Sequence, residues 1–410
     1  VLTQQMGPIE MLRRATSRLA YIASEHTRPL PAAPSSRAEH EAATLDWLLR
    51  AHDAGGDGGV AAGYQPARRV WFPSYPETTG YIIPTFLRTA DLLTVAGSVR
   101  AAADLRARAI QMGAWEIAVQ MPEGCVQADY LGTTPRPAVF NTGQVLFGWC
   151  ALHDLDRDPR WLAAATRAVD WLVAHQEPDG SWRQGQSPKA TNPVHSYDVR
   201  VAWALAEYHR ITQHSAAGDA ARRAADWTAR QQQSDGWFEA TAFDRGTAPT
   251  THPIGYVLEG LLACGLRFGE ERWVATVERA ADALLARLDP QGTLAAAYGP
   301  GWSPAARTTC LTGNAQIAIA WGWLYALRGE DRYRRGLALV NRFIARTQRL
   351  ADPDPGIRGG VKGSHPNTSG YSPFLYPNWA AKFVLDAFQL EDALEREDQS
   401  RIRARLPWCG

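Results

Sequence analysis

Glu77 stands between two tyrosines in SYPETTGY, and Asp198 follows a histidine and a tyrosine in HSYDVR. Two carboxyl groups are the equipment of glycoside hydrolysis: one protonates the leaving oxygen and the other activates water or attacks the sugar. Glu77, flanked by Tyr75 and Tyr81, reads as the acid, and Asp198 as the group that activates water. The chain also carries parts for proton abstraction beside a uronate carboxylate, leading to β-elimination or C5 epimerisation. That chemistry needs Tyr or His as acid and base, with cationic or amide groups to neutralise the carboxylate. Tyr81, Tyr197, His195, His252, Tyr256 and Tyr371 supply the first kind, with His252 and Tyr256 the foremost. Arg200, Asn141 and Lys382 supply the second.

These residues fall in six short phrases, each opening an apolar segment. They are SYPETTGY, VFNTGQ, HSYDVR, THPIGY, CLTGNAQ and GYSPFLYPNWAAK. The phrases add Gln144, Asn314, Gln316, Tyr376 and Asn378 to the polar set, and Gln144, Arg200 and Tyr256 lie 56 residues apart in turn. Helix capping alone explains Asn141, Asn314 and Asp198, which are ordinary N-cap types. It does not call for Tyr, Arg, His or Gln, so the phrases together point to a ligand-binding funnel. Trp71 and Trp302, with Trp182 and Trp237, read as loop tryptophans, and Trp71 and Trp302 are candidates to stack on sugar rings.

The elements behind these phrases repeat. Gly124, Gly180, Gly236 and Gly292 are 56 residues apart. Gln120, Gln176 and Gln232 precede three of them by four residues, and Trp115, Trp171 and Trp227 precede those glutamines by five. A further copy is displaced by a short insertion, with Phe343 and Gln348, and Trp47 marks a degenerate earlier one. A fixed period of this length is one supersecondary unit, each copy burying its apolar face against the next. Within a unit, a stretch such as VFNTGQVLFGWCALHDL is apolar nearly all round and reads as a buried helix. RWLAAATRAVDWLVAHQ has helical apolar spacing with charges between and reads as an outer helix.

Six such hairpins, with first and last inner segments as apolar as the middle ones, predict an all-α, closed (α/α)6 toroid. In it all inner N-termini meet at one end. Orphan N–H groups and positive dipole ends gather there with the six polar phrases. The predicted organisation is an N-terminal helix and Pro/Ser-rich linker over residues 1–38, then the toroid over 39–410. The segment from Asp352 to Tyr376, rich in Gly and Pro, is long enough to be a lid.

The net charge of +1 over 410 residues, with no basic block, speaks against nucleic acid as a partner. No apolar run has transmembrane length, and the N-terminal stretch lacks the apolar core of a signal peptide. Cys125, Cys150, Cys264, Cys310 and Cys409 are odd in number with no close pair, as expected of free thiols in the cytoplasm. No metal-ligand spacing is visible, so no metal or cofactor is expected and the expected partner is a carbohydrate.

YPETTGYIIPTFL, VFNTGQVLFGW, CLTGNAQIAIAW and GIRGGVKGSHP…YPNWAAKF resemble segments of bacterial toroid proteins associated with exopolysaccharide gene clusters. The broader fold is similar to glycoside hydrolases, uronate lyases, sugar 2-epimerases and glucuronyl C5-epimerases. The resemblance implies a carbohydrate ligand more than any one reaction, and a non-catalytic glycan-binding protein is compatible with it. A second resemblance is carried by Gln176-x3-Gly180-x-Trp182, which is similar to the QW motif of squalene and terpene cyclases. Those enzymes also use a D-x-D-D acid motif, and HDLDRD, with Asp154, Asp156 and Asp158, does not match it.

Overall fold

The structure is a computed structural model and describes residues 8–407 apart from 189 and 398. Cys409 lies outside the described residues. Helix α1 (Pro8–Thr27) precedes twelve helices that alternate between an outer and an inner ring. The outer helices are α2 (Arg37–Gly55), α4 (Val99–Val119), α6 (Pro159–Ala174), α8 (Ser215–Arg230), α10 (Glu271–Leu285) and α12 (Asp331–Thr347). The inner helices are α3 (Pro76–Val95), α5 (Val139–Asp156), α7 (Val199–Thr212), α9 (Thr251–Phe268), α11 (Leu311–Arg328) and α13 (Asn378–Arg396). A short helix, α14 (Gln399–Ala404), follows.

Amphipathicity sorts the two rings. Along α8, Ala217, Ala221, Ala224, Ala225 and Thr228 recur at helical spacing and are buried, while the charged residues between them stay at the surface. Along α11 nearly every residue from Leu311 to Leu324 is buried, because an inner helix meets neighbours on all sides. Small residues let the inner helices close up: a Cβ on Gly80 would collide with the backbone of Val145 on the next inner helix.

The repeated Gln–Gly pair is a clamp between successive outer helices. Gln176 Nε2 donates to Gly180 O at 3.1 Å and to Ala220 O on α8 at 2.9 Å. Gln120 and Gln232 do the same to Gly124 and Ala164, and to Gly236 and Thr276. Arg223 and Arg279 complete two of the clamps by donating to the glutamine Oε1, at 2.6 and 2.9 Å, and Arg167 completes the third. All four repeated glycines have positive φ, between +88° and +99°, and press against a carbonyl of the next outer helix. A side chain there would be both strained and obstructed.

The ring is closed by the same device. Gln348 Nε2 donates to Gly359 O at 2.6 Å and to Thr44 Oγ1 on α2 at 2.8 Å, so the last outer helix is clamped to the first. Among the inner helices, Asn378 Nδ2 donates to Thr78 Oγ1 on α3 at 2.8 Å and to Ala61 O at 3.0 Å. The strand Gly63–Gln65 pairs with Tyr376–Pro377. The fold is therefore an (α/α)6 toroid. Helix α1 docks where the ring closes: Glu25 pairs with Lys362 at 2.9 Å and Arg349 at 2.8 Å, and accepts from Asn367 N.

Candidate active site

A cleft of about 340 Å³ opens at the end of the barrel where the inner helices begin. From the first two turns of α3, α5 and α9 come Glu77, Phe140, Asn141, His252 and Tyr256, with Tyr75 just ahead of α3. Tyr197 comes from the 3-10 turn Ser196–Asp198, and Tyr371 and Trp379 from the last hairpin. The remaining wall is made by loops that precede inner helices: Asp129 and Tyr130, Gln186 and Ser187, Phe243 and Asp244.

Glu77 sits in an aromatic cup. The Tyr75 hydroxyl donates to Glu77 Oε2 at 2.5 Å, and Asn141 Nδ2 reaches the Tyr75 oxygen at 3.4 Å while donating to Gln127 O at 3.0 Å. Tyr75 packs edge-on against Tyr130 at 5.4 Å, and Phe140 packs against Tyr197 and Tyr256 at 5.3 and 4.9 Å. Burial is the main reason the hydroxyls of Tyr75, Tyr197, Tyr256 and Tyr371 hold their protons far above the usual phenol range. The negative charge of Glu77 pushes each the same way.

Asp198 lies just behind the wall. It is buried, makes no side-chain cap to its own helix, and among the described residues accepts from Gln186 Nε2 alone, at 3.0 Å, with no partner for Oδ1. Burial pushes its carboxyl up to about 7, with the Gln186 bond opposing. A carboxylic acid that keeps its proton near neutrality is suited to donate one.

His252 lines the cleft with its ring 4.4 Å from Tyr256 and 5.1 Å from Tyr371. Its Nδ1 lies 2.6 Å from Gln316 Oε1, whose Nε2 donates to Glu259 Oε2 at 3.3 Å. Burial pulls the imidazole down to about 3, so it is neutral.

One helical turn below, Gln144 and Arg200 form a plug instead of a funnel wall, while Tyr256, the equivalent position of α9, still reaches the cleft. Arg200 is fully buried and donates to Gln144 Oε1 at 2.7 Å and to Glu259 Oε2 at 2.6 Å. The sequence expectation puts Arg200, Gln144 and Gln316 against the ligand; they bond among themselves and to Glu259 instead, because a turn of helix carries them about 5.4 Å deeper into the barrel. Tyr81 is buried at the same level, 5.9 Å from the Arg200 guanidinium. Lys382 is also withdrawn, paired with Asp386 at 2.7 Å, and Asp386 binds Arg88 and Thr85 as well.

Other expected contacts fall outside the cleft. Asn314 donates to Thr309 Oγ1 at 2.8 Å and Asn378 fastens α13 to α3, so both tie neighbouring segments together. Tyr376 faces Tyr21 of α1 at 3.4 Å. His195 stacks on Tyr197 at 4.5 Å from outside the cleft lining. Trp302 is buried and donates to Asp235 O at 3.0 Å, and Trp71 packs on Trp47 and Tyr64 at 5.1 and 5.2 Å. The cleft tryptophan is Trp379. Of the segment 352–376, Tyr371 reaches the cleft. Asp129, Tyr130, Gln186, Phe243 and Asp244 escaped the sequence reading; their one signal is that each precedes an inner helix and so lies at the N-terminal end of the barrel. Among the described residues, no group of three or more His, Cys, Asp or Glu side chains converges as a metal ion would require, and no helix is long and apolar enough to cross a membrane.

Residues 89–259 match a family described as the squalene-hopene cyclase C-terminal domain. That span holds three copies of the Gln–Gly clamp, which here joins outer helices. Asp154, Asp156 and Asp158 lie at the opposite end of the barrel. Asp154 pairs with Arg210 at 2.5 Å, Asp156 accepts from Trp161 Nε1, and Asp158 caps α6. No curated protein matches the sequence. Among solved structures, the chain is similar to an unsaturated glucuronyl hydrolase specific for heparin (TM-score 0.68, 13% identity, covering 89% of this chain and 100% of that one). It is also similar to an unsaturated glucuronyl hydrolase from Bacillus sp. GL1 (TM-score 0.65, 16% identity, covering 88% and 97%). A D-mannose isomerase aligns comparably (TM-score 0.65, 14% identity, covering 89% and 100%). At these identities the likeness is one of fold.

Proposed function

We propose that the protein is a carbohydrate-active enzyme that hydrolyses a glycosidic bond of a poly- or oligosaccharide in this cleft. Glu77 and Asp198 are the carboxyl pair, and Tyr130, Tyr197, Tyr371 and Trp379 offer faces for sugar rings. The observation that carries this reading is the contrast between the two carboxyls. Glu77 accepts from the Tyr75 hydroxyl inside the cleft. Asp198 is a buried acid that keeps its proton to about pH 7 one residue behind the wall. Two carboxyls in different environments are what acid and base roles require. The sequence reading gave the acid to Glu77; the environments favour the reverse, with Asp198 as proton source and Glu77 as base or nucleophile. The toroid fold shared with glucuronyl hydrolases adds support. The test is incubation with a panel of bacterial polysaccharides, followed by reducing-end assay of the wild type, Glu77→Gln and Asp198→Asn. New reducing ends lost in both variants support the reading.

His252 favours a second reading, in which a neutral imidazole takes a proton from a sugar carbon and Tyr256 or Tyr371 returns it, giving elimination or epimerisation. Solvent deuterium appearing in the sugar without cleavage, or an unsaturated product, would favour it, with His252→Ala and Tyr256→Phe as the severe losses. Glycan binding with none of these products would mark a binding protein.

A further inference from the structure

Helix α1 reaches the cleft through a loop. Residues 363–375 leave the barrel and return to it: Gly363 N donates to Leu375 O at 3.1 Å, and Phe374 N to Asn367 O at 2.8 Å. The strand Ser364–His365 pairs with Thr309–Cys310, just ahead of α11, which anchors the base of the loop. Farther along, the loop carries Tyr371, whose ring stands 5.1 Å from His252 in the cleft. Gly370, next to it, has a φ of +82°, and a Cβ there would collide with Thr308 Oγ1, so the turn that aims Tyr371 needs glycine.

The other end of this connection is α1. Arg18, Tyr21 and Glu25 follow one another at helical spacing and meet the loop together. Asn367 Nδ2 donates to the Tyr21 hydroxyl oxygen at 2.8 Å, and Asn367 N donates to Glu25 Oε2 at 3.1 Å. Glu25 Oε2 also accepts from Lys362 Nζ at 2.9 Å, at the root of the loop. Tyr21 and Arg18 pack on Phe374, 6.3 and 4.8 Å from its ring centre, and His26 Nε2 lies 2.9 Å from Thr368 Oγ1. Asn367 is fully buried and is the joint: its carbonyl takes Phe374 N, its side chain reaches Leu375 O at 3.3 Å, and its two donors also hold α1. Burial opposes charge on Glu25, but Lys362, the Asn367 N–H and Arg349 outweigh it and hold the carboxyl below the usual range.

We infer that Tyr21 and Glu25 are positioning residues for Tyr371: through Asn367, α1 holds the loop that sets this aromatic face against the ligand. This rests on the cleft being the glycan site proposed above. A loop rich in Gly, Ser and Pro has much conformational freedom to lose, and the bonds from α1 oppose that loss. Glu77 and Asp198 lie on other hairpins, so loosening the loop weakens sugar binding and spares the chemical step.

The experiment uses the full chain labelled with fluorotyrosine, with Tyr371→Phe to assign the Tyr371 fluorine resonance. In Glu25→Ala that resonance should move toward its position in denatured protein. On the polysaccharide of the panel that is cleaved fastest, KM should rise about tenfold, the worth of one aromatic contact, with kcat within about twofold. Glu25→Ala strands the buried Lys362 charge, so Tyr21→Ala, which removes no charge, is measured beside it and should show the same pattern. Glu25→Gln keeps an acceptor for the Asn367 N–H and should restore most of the wild-type signal. An unmoved Tyr371 resonance in Tyr21→Ala overturns the inference, as does a fall in kcat at constant KM. A resonance that moves while no polysaccharide of the panel is cleaved would sink the hydrolase reading and leave the placement of Tyr371 by α1 standing. Cleavage with wild-type KM in both alanine variants would do the opposite.

Discussion

Tyr75 and Glu77, two residues apart at the start of α3, are joined side chain to side chain, the hydroxyl donating to the carboxylate at 2.5 Å. Pro76 between them opens the helix, so Tyr75 stays extended while Glu77 enters the first turn. That change of backbone direction turns both side chains into the same cleft. Asn141 of the neighbouring inner helix reaches the Tyr75 oxygen, which ties the pair to the next repeat.

Glu77→Gln keeps the shape of the side chain but cannot exchange a proton. Turnover should fall by about two to four orders of magnitude, with little change in melting temperature. Tyr75→Phe, which removes the hydroxyl bonded to Glu77, should cost roughly tenfold. Full activity in Glu77→Gln on an active substrate would remove Glu77 from the mechanism.

Asp198 ties pH to stability. Its carboxyl is raised to about 7 when folded, against about 3.9 when unfolded. Between these values the native state holds the extra proton, so this group's contribution falls as pH rises from about 4 to about 7 and then levels off. Asp198→Asn should therefore gain stability relative to wild type across that window in urea titrations, and an unchanged difference would refute the shift. If Asp198 is the acid, wild-type kcat/KM should also decline above about pH 7.

Glu259→Ala leaves Arg200 charged and unpaired in the barrel, at a cost of about 3–5 kcal/mol. Arg200→Met combined with Glu259→Leu should lose much less. Chemical denaturation of the single and double variants measures this. An Arg200→Lys enzyme of unchanged stability but raised KM would instead mean that Arg200 meets the substrate.

The Gln–Gly clamp should matter for stability and not for chemistry. Gln176→Ala loses three hydrogen bonds and should cost about 1–3 kcal/mol. Gly180→Ala should cost more, because positive φ and the Arg223 carbonyl both oppose a Cβ. Both variants should keep wild-type kcat below their melting temperatures. A kcat defect without a stability defect would mean the motif serves the reaction.

The period of 56 residues and the apolar patterning determined the toroid by themselves, because each hairpin buries its faces against copies of itself and the pattern repeats with the packing. The same pattern placed Tyr75, Glu77, Asn141, Tyr197, His252, Tyr256 and Tyr371 at one end of the barrel, and all of them line the cleft. It could not say how deep each side chain lies. Gln144, Arg200 and Gln316 stand one turn further down, where equivalent positions meet across the axis and pair with Glu259. Nor could it find Asp129, Gln186 or Asp244, whose residue types do not recur from one repeat to the next and which meet only because the ring brings successive hairpins together. Which polar residues face solvent and which face one another depends on depth along the barrel axis and on loop paths, and the tertiary structure alone decides both.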